Sequence, residues 1–353
     1  DALSDCIDCV AGKYVATTGS SAASDCIDCM AGKYLPVLGS NSSLDCIDCV
    51  AGKYVAGTAH TTAGDCIPCP SGKYVDVPGS SELSQCINCV AGKYVSTDSN
   101  ADASDCIDCV AGKYVVVTGS DDASDCIDCA AGKYSGVVPS VTEADCTDCA
   151  VGTFVDTAGS DDPSDCIACV AGKYLDTEGN DEATDCIDCI PGTWSSAQRN
   201  DAAADCIECG VGKYSATAAR IAESACIDCA EGKWAATSGN GIESYCIACE
   251  AGKYLDTTGN DAAHDCIDCE AGRYIDVTGS DADIDCIQCV AGKFTPAIGS
   301  DAANDCEDCV VGKYLDVPGS DEAADCIDCV AGRYVDTTGT PSLAGCIACP
   351  SGK

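Results

Sequence analysis

Apolar and polar positions along this chain follow neither a helical period nor a sustained alternation; they return every 20 residues. The unit reads D-C-I-D-C-V-A-G-K-Y-V-x-T-T-G-S-D-x-A-S, as in Asp105-Cys106-Ile107-Asp108-Cys109-Val110-Ala111-Gly112-Lys113-Tyr114. Lys-Tyr-Val and Lys-Tyr-Leu are strand-prone, and the later Gly-Ser or Gly-Asn is turn chemistry, so each unit reads as a short strand, a turn and an extended return. Twenty residues are too few for two regular elements with a core between them. The expectation is a small disulfide-rich repeat fold, an elongated ladder or solenoid of short β-strands and turns with no α-helix, running as one continuous array of about eighteen units over residues 1–353.

Each column of the repeat has a physical reading. Cysteines fall at 6 and 9, 26 and 29, and onward to 346 and 349, and this spacing never slips, which predicts that each unit superimposes on the next. Three residues after every second cysteine stands a glycine (Gly12, Gly32, Gly112 and their equivalents), implying a positive φ or an approach too close for a Cβ. Two residues further on is an aromatic, Tyr14, Tyr34 and Tyr114 being typical, with Phe154, Phe294, Trp194 and Trp234 as variants. Tyr245 alone lies outside that column, so the aromatics read as a stacked ladder packed on the cysteines and on the Ile column (Ile7, Ile27, Ile47).

Composition narrows the setting. With 36 cysteines in 353 residues, the chain has the density of a disulfide scaffold, and secretion or the cell surface is the expected location. One Met, two Phe and two Trp leave little for a large core. There is no starting Met, no signal segment and no apolar run long enough to span a membrane, so the expectation is a mature soluble chain or a piece of a longer one, with no membrane insertion. The formal charge of −40 repels phosphate backbones and argues against a nucleic-acid partner.

The cysteines allow three readings. Paired zinc knuckles match the CxxC spacing, but a four-cysteine site would impose a 40-residue alternation that is not seen. A disulfide within each CxxC is the second, and a bridge from one unit to the next is the third. The array C-x-x-C-x-x-G-x-Y resembles the ephrin-receptor-like cysteine-rich repeats, and C-V-A-G-K-Y-x10-D-C resembles the module that opens tumour necrosis factor receptor cysteine-rich domains. The resemblance covers the whole chain. It implies pairing of Cys9 with Cys26, Cys29 with Cys46, Cys49 with Cys66, Cys109 with Cys126 and so on to Cys329 with Cys346, with Gly12 and Tyr14 shaping each loop. Cys6 and Cys349 are then left unpaired or joined between chains, and the array is expected to continue beyond them.

Other residues carry weaker signals. Of the 18 basic residues, 16 stand in the single column before the aromatic position and form a basic line, while the acids occupy other columns, an arrangement suited to pairing or to lateral association. Asp121, Asp122, Asp125 and Asp128 are candidate oxygen ligands for Ca2+, without an EF-hand pattern. Asn41 heads the single N-glycosylation sequon, and Thr17 and Thr18 are candidates for O-linked glycans. His60 and His264 stand in turns without a catalytic constellation. Residues 193–245 break several columns at Thr193, Arg199, Arg220, Ile221, Ala225 and Tyr245, a place for a lateral partner. Together these features predict a non-catalytic structural segment of an extracellular filament, stalk or appendage that associates with itself and needs no cofactor. The alternatives are a receptor or antigen ectodomain and a Ca- or Zn-binding repeat protein.

Overall fold

The computed structural model of the chain describes residues 7–350. It contains two compact units, Asp1–Ala168 with Thr177–Asp185, and Cys169–Asp176 with Cys186–Lys353. Each unit is a ladder of disulfide-closed strand pairs built from the same repeat.

The repeat at Cys109 represents the first unit. Lys113–Tyr114 forms a two-residue strand antiparallel to Ile127–Asp128, setting Lys113 opposite Asp128 and Tyr114 opposite Ile127. An aromatic facing a β-branched residue and a cation facing an acid are both favourable cross-strand pairs. Gly112, at φ +80°, turns the chain into the first strand, and Gly119, at φ +79°, turns it after the strand. A single turn of 3-10 helix at Ala123–Asp125 follows, and the Cys109–Cys126 disulfide, with Cα atoms 5.8 Å apart, closes the loop.

Such a short hairpin is not stable alone. Its free backbone groups are completed by adjacent repeats: Gly112 N–H donates to the Ser135 carbonyl at 2.7 Å, and Gly119 N–H to that of Cys89 at 2.8 Å. A parallel bridge joins Tyr114 to Ser140. The second unit repeats the pattern, with Gly252 donating to Ile275 at 2.8 Å, Leu255 to Ser280 at 3.1 Å and Gly279 to Cys249 at 2.8 Å.

A closer contact links repeats two steps apart. A Cβ built on Gly112 would fall inside the contact radius of the Gly159 carbonyl oxygen, and one on Gly172 would lie 2.6 Å from the oxygen of Ala219. Repeat proteins commonly contact only their nearest neighbours. Here the glycine column lets the backbone of one repeat press against the backbone of the next but one.

The core is a series of small clusters. Cys109, Val115 and Cys126 are buried together with Tyr94 of the preceding repeat against them; in the second unit Cys249, Leu255 and Cys266 pack with Trp234. The aromatics therefore stack on disulfides, but the Ile column is not the core. Ile107 and Ile127 are 51% and 50% exposed, whereas Val115, the residue after the aromatic, is 1% exposed. Directly opposed residues share a face of a strand pair, so Ile127 stands with Tyr114 on the half-open side while Val115 turns inward to the disulfide. Three of the four polar residues at the inward position find a partner five residues on, Ser135 with Ser140 at 3.1 Å, Ser195 with Asn200 at 3.2 Å and Thr295 with Ser300 at 3.3 Å, while the buried Ser215 hydroxyl has none among the described residues.

Four non-glycine residues, Ala59, Ser99, Arg199 and Ala219, adopt the left-handed conformation in the turn column that Gly119 represents. Gly112→Ala should destabilise its neighbourhood by about 2–4 kcal/mol, from left-handed strain plus overpacking against Gly159. Ala219→Gly should be neutral or stabilising, by less than about 1 kcal/mol. Hydrogen exchange at Ser135, Gly159 and their neighbours checks the first, and unchanged protection there would contradict the close approach.

Candidate functional site

Seventeen disulfides run from Cys9–Cys26 through Cys29–Cys46, Cys49–Cys66 and Cys109–Cys126 to Cys329–Cys346. Their cysteines are oxidised and so offer no thiolate to zinc. This disulfide content points to an oxidising, extracellular setting. Cys349 is exposed and carries a free thiol, and Cys6 lies outside the described residues. No helix among the described residues is long and apolar enough to cross a membrane.

The basic column is a ladder of cross-strand ion pairs. Lys13 meets Asp28 at 2.8 Å, Lys33 meets Asp48 at 2.7 Å, Lys133 meets Asp148 at 2.8 Å and Lys213 meets Asp228 at 2.7 Å. The partner is the acid inside the following CxxC, 15 residues on. Several ammonium groups also donate to the carbonyl of the first cysteine of that motif, Lys173 to Cys186 at 3.3 Å and Lys293 to Cys306 at 3.2 Å. A hydroxyl one repeat further along completes some of the acids: Thr58 donates to Asp28 at 2.9 Å and Thr338 to Asp308 at 3.0 Å. These bonds, the lysine first, hold the Asp28 and Asp308 carboxyls below the usual range. Asp148 in turn holds the Lys133 ammonium above its ordinary value.

A second acidic column braces the 3-10 turns. Asp65 accepts from the backbone N–H groups of Thr61 and Thr62, both at 2.9 Å, and Asp145 from those of Val141 at 2.7 Å and Thr142 at 2.9 Å. Backbone donation, from Thr62 and Thr142 first, keeps both carboxyls below the usual range. This bracing role was missed in the sequence, although an Asp before the first cysteine of nearly every unit was the available signal.

The proposed calcium ligands have separate partners in this arrangement. Asp125 accepts from the N–H groups of Asp121 and Asp122 at 3.0 and 3.2 Å, Asp122 caps Ser124 N–H at 2.8 Å, and Asp128 pairs with Lys113 at 2.5 Å. The Asp121 carboxylate accepts from Ser71 at 3.3 Å. Among the described residues no group of three or more His, Cys, Asp or Glu is arranged to hold a metal ion.

Asn41, Thr17 and Thr18 are exposed, and Thr17 shares a hydroxyl hydrogen bond with Ser20 at 3.1 Å. His60 contacts the Ala56 carbonyl at 2.7 Å, and the side chain of His264 is largely exposed. In the irregular region, Thr193 stands opposite Glu208, Arg220 bonds Thr217, and Tyr245 is half exposed where the other turns carry Asp, Gln or a small residue. No family model and no curated protein matches the sequence.

The braced turns should respond to acid with a definite sign. Because the Asp65 and Asp145 pKa values are depressed in the folded chain, their contribution is present above the unfolded value of about 3.9 and is lost as pH falls through the folded value. Carboxyl NMR titration should place both midpoints below that of an unstructured Asp. Asp145→Ala should speed amide exchange at Val141 and Thr142, and unchanged exchange would show that the carboxylate does not hold the turn.

Proposed function

We propose that this chain is a non-catalytic structural segment of an extracellular filament, stalk or surface appendage. The observation that carries this reading is that the chemically capable columns are engaged in holding the repeats together. The cysteines close loops, lysines meet the acids of the following CxxC, and in most units an Asp before the first cysteine braces a turn. The resemblance to ephrin-receptor-like and tumour necrosis factor receptor-like arrays supports an extracellular, modular role. Self-association into filaments fits a scaffold whose surface repeats with one period, since a contact made by one repeat is available to all.

A receptor or antigen ectodomain is the second reading. It is favoured by the departures from the column pattern at Arg199, Arg220 and Tyr245, which give one stretch a surface of its own.

Negative-stain electron microscopy of the oxidised protein should show uniform thin filaments, and compact isolated particles at every concentration would overturn the filament reading. Reduction and alkylation should abolish amide protection throughout, because each 17-residue loop closure contributes about 3 kcal/mol in the chain-entropy account. Retained protection after full reduction would show that packing alone suffices.

A further inference from the structure

In the Lys/Arg column of the ladder, one described strand pair sets an acid opposite a neutral residue. Thr193 stands where other repeats carry Lys or Arg, and opposite it is Glu208. Thr153 is the other threonine of this column, and its opposite residue is Ala168, so both charges are absent there. Where a strand acid is replaced, the cation can find another carboxylate: Lys233, opposite Ala248, meets Glu243 at 3.0 Å, and Arg273, opposite Gln288, meets Asp283 at 3.0 Å. At Glu208 the acid is kept and the cation is missing.

The remaining parts of the cation's environment are in place. Ser238 donates to Glu208, as Thr58 does to Asp28 and Thr338 to Asp308. The Cys206 carbonyl occupies the position of those that accept from Lys173, Lys293 and Lys313. The Thr193 hydroxyl does not replace the ammonium, for it donates to the Ile190 carbonyl at 2.8 Å. In place of the lysine stem there is a cavity of about 670 Å³ lined by Tyr174, Ile190, Thr193, Cys206, Ile207 and Glu208.

We propose that this cavity binds a primary alkylammonium group, with the charge on Glu208 and the Cys206 carbonyl and the aliphatic stem against Ile190 and Ile207. Apolar walls with one carboxylate match a lysine-like group, whose stem buries along apolar surface while its charged end stays paired and wet. The proposal does not depend on the filament reading, since the site lies within one chain.

The test is titration of the oxidised full chain with n-butylamine at near-physiological salt, followed by NMR of the labelled protein. Saturable shifts confined to residues around 190–208 are expected, with millimolar affinity because the pair is open to solvent. Glu208→Gln should weaken binding by roughly fivefold. Thr193→Lys, which restores the residue of the other repeats and so should fold, should abolish it by supplying the ammonium from the chain itself. Asp228→Asn, at an acid already paired with Lys213, should leave the affinity unchanged. n-Butanol, with the stem and no charge, should not saturate the site. Nα-acetyl-lysine methylamide and cadaverine distinguish the source: tighter binding of the first indicates a protein lysine, and of the second a free diamine. Equal n-butylamine binding by the Thr193→Lys variant, or shifts spread evenly over all repeats, would overturn the proposal.

Discussion

The contact on which the array depends is the one between a glycine of one repeat and the backbone carbonyl two repeats on. Gly112 against Gly159 and Gly252 against Gly299 leave no room for a side chain, and the same glycines need positive φ to start their strands. Neither demand can be relaxed separately: a residue that tolerated the dihedral would still strike the carbonyl. The unbroken 20-residue spacing follows from this. If repeats touched only their neighbours, a longer loop could bulge outward at little cost. Because a repeat also meets the next but one, an inserted residue would displace a carbonyl from its glycine as well as disturb its own hairpin.

Around that constraint the repeat uses small, local interactions. A two-residue strand pair is marginal alone, and it is closed by a disulfide, covered by the aromatic of the preceding repeat and bonded through its backbone to both neighbours. The inward column tolerates Val, Leu, Ile, Ala, Ser and Thr, since the two cystine sulfurs and the neighbouring aromatic already exclude water from it. Net charge of −40 works against compactness, yet many acids are placed where a backbone N–H or an ammonium faces them.

Much of the fold was legible in the sequence. Period, short strands, absence of long helices and the glycine requirement could be read from the columns, and the structure shows each of them. The partner of the glycine could not be read, because a contact two repeats along depends on how successive repeats stack, which no single unit encodes. Ile and Val were inverted in importance for a related reason. In a two-residue strand the alternation is too short to display an inside and an outside, so the larger side chain of Ile127 looked like core when Val115 fills that role. The phase of the disulfides was open from spacing alone, since a bridge within each CxxC and a bridge from one unit to the next both keep the 20-residue period.

Redundancy changes what a departure from the repeat means. In an array of similar units, a column can lose its residue without loss of the fold, and the plainest form of such loss is the Thr153 and Ala168 pair, where both charges are gone and nothing is left uncompensated. Thr193 and Glu208 depart differently: the carboxylate, the Ser238 hydroxyl bound to it and the position of the Cys206 carbonyl all persist around a lysine that is not there. The same substitution of Lys by Thr thus removes an interaction at one repeat and opens a shaped acceptor at another. Which of the two results follows is decided by the residue 15 positions away on the opposing strand, so chemical individuality in this chain arises through pairs of columns and not through single residues.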